Sequence, residues 1–328
     1  MKNVKNIVVV GGGTGTYIAL HGLKQYPVEL SAVITMMDSG GSTGKLRDQY
    51  GVLPPGDVRQ ALVALSDSDK IWRELFLYRF ENGDFKGHNF GNIFLTVLEK
   101  ITNNFEQSIT LAQTILKTKG NVIPVTLQKA HINAELANGQ IVKTEALIDQ
   151  KIKRSQIKRL YLDREVKVNP KVKTVLEDAD LIIIGPGDLY TSILPIFTFK
   201  KVVQAMKHTK AKKLLVLNLM NKLGQTDNFK ASDFLNAYEK VLGKNIFDYL
   251  LVNNRKIPDK ILKHYQITDE TPILNDLTNK NTLKIRESDL ISNSVVAQKK
   301  GDPLSRSLVR HDPRKLAKYL WENIISNL

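Results

Sequence analysis

Two glycine-rich stretches hold the residue types best suited to chemistry. The first is Asn6 to Lys24, NIVVVGGGTGTYIALHGLK, answered further on by Asp38-Ser39-Gly40-Gly41-Ser42. Gly11, Gly13 and Gly15 keep side chains out of a strand-to-helix turn in which Gly12, Gly13 and Gly15 are candidate ligand-binding positions, and Thr14 can cap the helix or give its hydroxyl to a phosphate. Such a turn leaves the unpaired N–H groups of a helix start at the carboxyl end of a strand, where an anion can sit. Asp38 stands among small residues just past a strand, a position more typical of a ligand, metal or proton-transfer group than of packing. Asp57, after Pro54-Pro55-Gly56, reads first as a helix cap. In an enzyme, Asp38 and Asp57 would form a carboxylate pair able to hold Mg²⁺, with Asp38 as the metal-binding residue.

The second stretch is LIIIGPGDLYTSILPIF from Leu181, which repeats the device with Gly185, Gly187, Asp188, Thr191 and Ser192. Glycines here could serve only to let strand and helix approach closely, but the clustered carboxylate and hydroxyls favour a ligand. Asn218 and Asn221 follow the next strand, and Asn89 and Asn92 lie in HNFGN at a helix start, where asparagine holds a sugar or phosphate or simply caps.

These residues need a parallel sheet to gather them. Ile7–Val10, Leu30–Ile34, Leu181–Ile184, Leu214–Leu217 and Tyr249–Val252 are short apolar runs, each separated from the next by helical patterns. Strand, helix, strand implies parallel pairing through right-handed crossovers. The expected architecture is a single α/β domain over residues 1–328, Rossmann-like, with three layers and a mainly parallel sheet. Residues 121–163 alternate apolar and polar with period two around Asn138-Gly139, which reads as an antiparallel β-hairpin insertion acting as a lid, an oligomer surface or both. The stretch from Ser39 to Gly56 reads as a long polar loop, Asp57 as the cap of a helix from Val58, and the helix after the second turn is expected near Pro195.

The 328 residues are 42% hydrophobic, enough for a substantial core. Zero cysteines exclude disulfides, thiolate nucleophiles and cysteine-held metals. No apolar run approaches the roughly 20 residues of a membrane span, and the first residues run straight into a strand, so a cytoplasmic location is expected. The net charge of +15, from 48 Lys and Arg against 33 Asp and Glu, invites a polyanion. Much of it lies at Lys151, Lys153, Arg154, Lys158, Arg159, Arg164, Lys167, Lys171 and Lys173, without the interleaved aromatics of a strand-binding platform. A solvated basic face or an acidic small ligand is therefore preferred to nucleic acid.

GGGTGTYIALHGLK, MMDSGGSTGKLRDQYGVLPPGDVRQAL, HNFGNIFL, IGPGDLYTSILPIF and NLMNKLGQTDNF together resemble the bacterial gluconeogenesis factor family, relatives of 2-phospho-L-lactate transferase. The resemblance runs from about Lys5 to the last helix. It implies a Rossmann-like fold, a regulatory role in cell shape and cell-wall homeostasis during gluconeogenic growth, and binding of a UDP-sugar, UDP-N-acetylglucosamine in particular. Tyr265 and Arg310 are the positions similar to the family's contact residues. A homo-oligomer and a protein partner in cell-wall regulation are expected, and a regulator of this kind requires no cofactor. In the transferase relatives the loop after the second strand presents two acids, whereas here Ser39 follows Asp38. The loss weakens the alternative, a Mg-dependent transferase of a phosphorylated small acid or sugar. An NAD-dependent oxidoreductase fits less well, because GGGTGT lacks the last glycine of that fingerprint.

Overall fold

A computed structural model describes residues 4–150, 152, 155–267, 269–279, 282–293 and 308–328. The apolar runs become the centre of a seven-stranded sheet whose strands all run parallel. Strands β1 (Lys5–Gly11) and β2 (Val28–Ile34) flank helix α1 (Gly13–Leu23) in sequence. Helices α2 (Gly41–Tyr50), α3 (Gly56–Leu65), α4 (Lys70–Leu77), α5 (Phe90–Thr102) and α6 (Phe105–Leu116) precede β3 (Asn121–Pro124). After an insertion come α8 (Pro170–Glu177), β7 (Leu181–Ile184), α9 (Lys200–His208) and β8 (Lys212–Val216). The chain continues through α10 (Ala231–Leu242), β9 (Tyr249–Asn253), α11 (Asp259–Ile267), β10 (Lys284–Ser288) and α12 (Pro313–Asn323). The insertion itself holds β4 (Ile132–Leu136), β5 (Ile141–Lys143), α7 (Glu145–Ile148) and β6 (Ile157–Leu162).

The strand order is β10-β9-β8-β7-β1-β2-β3, so the winding reverses between β1 and β7. Right-handed crossovers on either side of that reversal put helices on both faces. In one group α1 packs on α3 and α12, and in the other α9 packs on α8 and α10. Central parallel strands covered on both sides must be apolar throughout, and Ile7, Val9, Val10 and all of Leu181–Ile184 are fully buried. The switch point opens a crevice beyond the carboxyl ends of β1 and β7, where such sheets bind ligands.

Three local expectations are corrected. The polar stretch after Gly40 is helix α2, because Leu46 and Arg47 find a buried side to pack on and Gly51, at φ +63°, ends the helix in the left-handed conformation. Asn121–Pro124 joins the main sheet parallel to β2, with Val122, Ile123 and Pro124 all buried, and only β5-β4-β6 form the antiparallel sheet. The chain after the second glycine turn coils at once, as a π-helical turn Leu189–Ile193 and a 3₁₀ turn Leu194–Thr198, before α9 begins. Among the described residues no helix is long and apolar enough to cross a membrane.

Lys158 and Arg159 both pair with Glu135, Arg164 with Asp163, and Lys171 with Glu106. These members of the basic cluster form a solvated, acid-paired face. Lys151, Lys153 and Arg154 lie outside the described residues.

Candidate functional site

The two glycine turns meet. A β-carbon at Gly15 would overlap the Pro186 carbonyl and stand 3.0 Å from the Gly187 nitrogen. Gly13, at φ +64°, holds a conformation that favours glycine and faces Ser192. The start of α1, the start of α2 at Gly40 and Gly41, and the coil from Asp188 therefore converge on one cavity of about 430 Å³. The starts of α1 and α2 carry positive potential and already hold carboxylates, Asp57 on the Gly13 N–H and Asp38 on the Gly40 N–H, while the second turn offers the Gly187 N–H, held by the neutral Asn218 amide.

Of the residues predicted from sequence, Gly12, Gly13, Thr14 and Gly15 line this cavity, as do Asp38, Gly40, Gly41 and Asp57. Gly187, Asp188, Thr191, Ser192, Asn218, Asn221, Tyr265 and Arg310 line it too. Asp57 is not the cap. The α3 cap position is Pro55, which leaves Asp57 in the first turn with its Oδ1 accepting the Gly13 N–H at 2.9 Å. Gly12 must be small for the same reason, since a β-carbon there would stand 2.6 Å from Asp57 Oδ2.

Five predicted residues stand behind the wall. Ser39 gives its N–H to Glu145 Oε2 (3.1 Å) and accepts the Ala146 N–H at Oγ (2.9 Å). Ser42 is buried, its hydroxyl accepting the Asn89 N–H at 3.2 Å. Asn89 caps α5 through the Asn92 N–H, and Asn92 Oδ1 takes Arg59 Nε at 2.8 Å. Asn92 Nδ2 also lies 3.4 Å from Ser42 Oγ and Thr43 Oγ1, so both asparagines support the start of α2 from beneath. Gly185 shapes the second turn at φ +74°, and Pro186 follows it through a cis bond.

Sequence reading missed Glu145, Asp149, Lys222, Glu270 and His311, which also line the cavity. Glu145 and Asp149 come from the insertion read as a β-hairpin, where β5 stops at Lys143 and the chain turns helical at Glu145. One helical turn thus reaches both halves of the site. Asp149 accepts from Thr191 Oγ1 (3.3 Å) and pairs with Lys222, which also meets Asp188 Oδ2 at 2.6 Å. The only local signal for Lys222 was its place directly after Asn221.

The electrostatics are divided. Burial pulls the Lys222 ammonium down, but Asp188 and Asp149 outweigh it and hold the pKa above the ordinary lysine value. Burial raises the Asp38 carboxyl, opposed by hydrogen bonds from the Gly40 N–H and the Thr43 hydroxyl. Glu145 is raised well above the glutamate range by burial and then by the charges of Asp38 and Asp149. Asp38, Asp57 and Glu145 thus sit on the N–H groups at the starts of α1 and α2, where their remaining oxygens suit hydroxyl groups. Among the described residues no three His, Cys, Asp or Glu side chains are grouped to hold a metal ion. Asp38 and Asp57 both border the cavity and could each lend an oxygen to a Mg²⁺ ion.

The family model of 2-phospho-L-lactate transferase CofD matches residues 7–291. A gluconeogenesis factor from Bacillus subtilis is 36% identical over 98% of this chain and 98% of its own. One from Listeria innocua is 40% identical over 78% of this chain and 80% of its own. A crystal structure of a UPF0052 family protein from Bacillus halodurans superposes with a TM-score of 0.88 at 32% identity, covering 98% of this chain and 100% of that one. With its family match over residues 7–291 and a Bacillus subtilis relative matched over 98% of both chains, the chain belongs to the gluconeogenesis factor family.

Proposed function

We propose that the cavity binds a nucleotide sugar, UDP-N-acetylglucosamine in the first instance. On this reading the protein is a regulator of cell shape and cell-wall homeostasis during growth on gluconeogenic carbon sources. The observation that carries the reading is the convergence of the two glycine turns and the start of α2 on one cavity that is also lined by carboxylates, asparagines, Lys222 and Arg310. A diphosphate suits the second glycine turn, where the Gly187 N–H is held only by the neutral Asn218 amide. Sugar and ribose hydroxyls suit Asp38, Glu145 and the asparagines, which accept hydrogen bonds. The cavity's size falls within the roughly 300–1,000 Å³ of small-ligand sites. Ligand occupancy would act through α7, which spans both halves of the site and belongs to the insertion that a protein partner or second copy could read. Calorimetric titration of the full chain with UDP-N-acetylglucosamine tests this: saturable one-site binding is expected, and no heat at millimolar ligand would end the proposal.

A second reading, a Mg-dependent transferase of a phosphorylated small acid or sugar, draws on the family match to a transferase and on Asp38 and Asp57 at the cavity. Under it, Asp38→Asn abolishes turnover and spares nucleotide binding; turnover unchanged by the substitution would reject it.

A further inference from the structure

Lys222 enters the cavity from a loop whose backbone is tied down on every side. Its N–H donates to Thr226 Oγ1 at 2.9 Å, and its carbonyl accepts the N–H groups of Gln225 at 3.1 Å and Thr226 at 2.9 Å. The Asn221 N–H reaches the Thr271 carbonyl at 2.8 Å and the Leu223 N–H reaches Glu270 Oε1 at 3.3 Å. A lysine held in this way is not a mobile surface charge, and only 17% of its side chain is exposed. Its ammonium lies between two carboxylates brought from separate parts of the chain. Asp149 stands at the end of α7, and Asp188 follows the second glycine turn directly.

This is the arrangement of a bridging cation. A Mg²⁺ ion that serves a phosphate ligand is usually held by one or two carboxylates together with the ligand's own oxygens. Here two carboxylates flank one positive centre, and that centre is an amine. An ammonium has three N–H donors. Asp149 Oδ1 and Asp188 Oδ2 take two of them, and among the described residues the third meets no acceptor. All three side chains line the cavity, with Asp149 33% and Asp188 41% exposed, so a ligand there can meet the group. The Gly187 N–H, immediately before Asp188, is held by Asn218 from the same strand end that leads into Lys222.

Resting on the nucleotide-sugar reading, we propose that Lys222 takes the place of the divalent cation in a diphosphate site. Its third N–H donates to a phosphate oxygen seated at the Gly187 N–H, and binding needs no Mg²⁺. The ammonium also cancels charge that would otherwise face the ligand. Without it, Asp149 and Asp188 would present two neighbouring negative charges to a diphosphate. That bare pair would itself attract Mg²⁺, which would then supply what the lysine had supplied. The other partners of Asp149, Thr191 Oγ1 at 3.3 Å and Gln225 Nε2 at 3.4 Å, are neutral donors that keep the carboxylate aimed at the same point in either case.

The test is calorimetric titration of the full chain with UDP-N-acetylglucosamine, once in excess EDTA and once in excess Mg²⁺. The native chain should bind equally well in both. Lys222→Met keeps the apolar stem and removes the charge; in EDTA it should bind at least about tenfold more weakly, and Mg²⁺ should restore most of the loss. Adding Asp149→Asn to Lys222→Met should abolish that rescue. Native binding that requires Mg²⁺ overturns the assignment even if the variants fail to fold. Undiminished binding by Lys222→Met in EDTA overturns it too, as does a loss that Mg²⁺ leaves unrepaired, the mark of a merely structural lysine. A rescue that survives Asp149→Asn places the ion on other acids and has the same consequence. Each of these results leaves the nucleotide-sugar reading standing, whereas absence of binding by the native chain in both buffers overturns that reading as well.

Discussion

The two glycine turns look alike in sequence but are held by different partners. In the first, the Gly13 N–H is engaged by the charged carboxylate of Asp57, delivered from α3. In the second, the Gly187 N–H is engaged by the neutral amide oxygen of Asn218, delivered from the end of β8, at 3.2 Å. A phosphate competes poorly with a carboxylate already in place and well with an amide, because hydrogen bonds to ionised acceptors are about twice as strong. The first turn is therefore a fixed wall with its anion built in, and the second is the place where a ligand's phosphate can displace a partner. Packing tells the same story. A β-carbon on Gly15 would run into backbone, whereas one on Gly187 would meet the end of the Ile193 side chain at 2.9 Å.

The sharpest way to break the comparison is to put that β-carbon in. Gly15→Ala should push the turns apart at a cost of about 3 kcal/mol or more and abolish UDP-N-acetylglucosamine binding, since neither backbone segment can yield cheaply. Gly187→Ala should cost roughly 1 kcal/mol, because Ile193 can change rotamer. Thermal unfolding of both variants decides; equal losses would mean that the turns are equally rigid.

Exchanging the charges is the next largest effect. Asn218→Asp places a carboxylate on the Gly187 N–H and should weaken the ligand by roughly 30-fold, about 2 kcal/mol, a fraction of the ~4 kcal/mol for like charges 4 Å apart at moderate dielectric. Asp57→Asn keeps an acceptor for Gly13, removes a charge, and should tighten binding a few-fold while lowering stability by about 1 kcal/mol. Binding that instead weakens in Asp57→Asn, and only when Mg²⁺ is present, would favour the transferase reading over the regulator.

How much of this was legible beforehand follows from where each signal resides. β1 and β7 announced themselves because strands covered on both faces read as unbroken apolar runs, and the glycines marked the turns that follow. β3 did not, since it is only four residues long and runs on into the alternating segments of the insertion. Asp57 was ambiguous because PPGD fits a cap at Asp57 as well as a helix begun one residue earlier; only the neighbouring Gly13 N–H decides between them. Asn89 and Asn92 carry the local signature of a helix start, and that is what they build. Lys222, Glu145, Asp149 and His311 belong to a polar loop, a short insertion helix and a tail strip with no distinctive local pattern. Tertiary structure alone brings them to the switch point.

The smallest expected effect concerns the tie between the turns. Glu145 reaches the first half through the Ser39 N–H, and Asp149, four residues on, reaches the second through Thr191 and Lys222. Burial and the neighbouring carboxylates raise the Glu145 pKa on folding, so the native state holds that proton more tightly than the unfolded chain. The resulting stabilisation is present below the ordinary glutamate range, near pH 4.3, and is lost as pH rises through the raised native value. Glu145→Gln keeps an acceptor for Ser39 and cannot ionise. Its Tm should exceed that of the native chain by about 2 °C near pH 8, and the gap should close towards pH 5. A gap that widens in acid would mean that Glu145 is charged in the folded protein, with the tie between the two turns electrostatic instead of a shared proton.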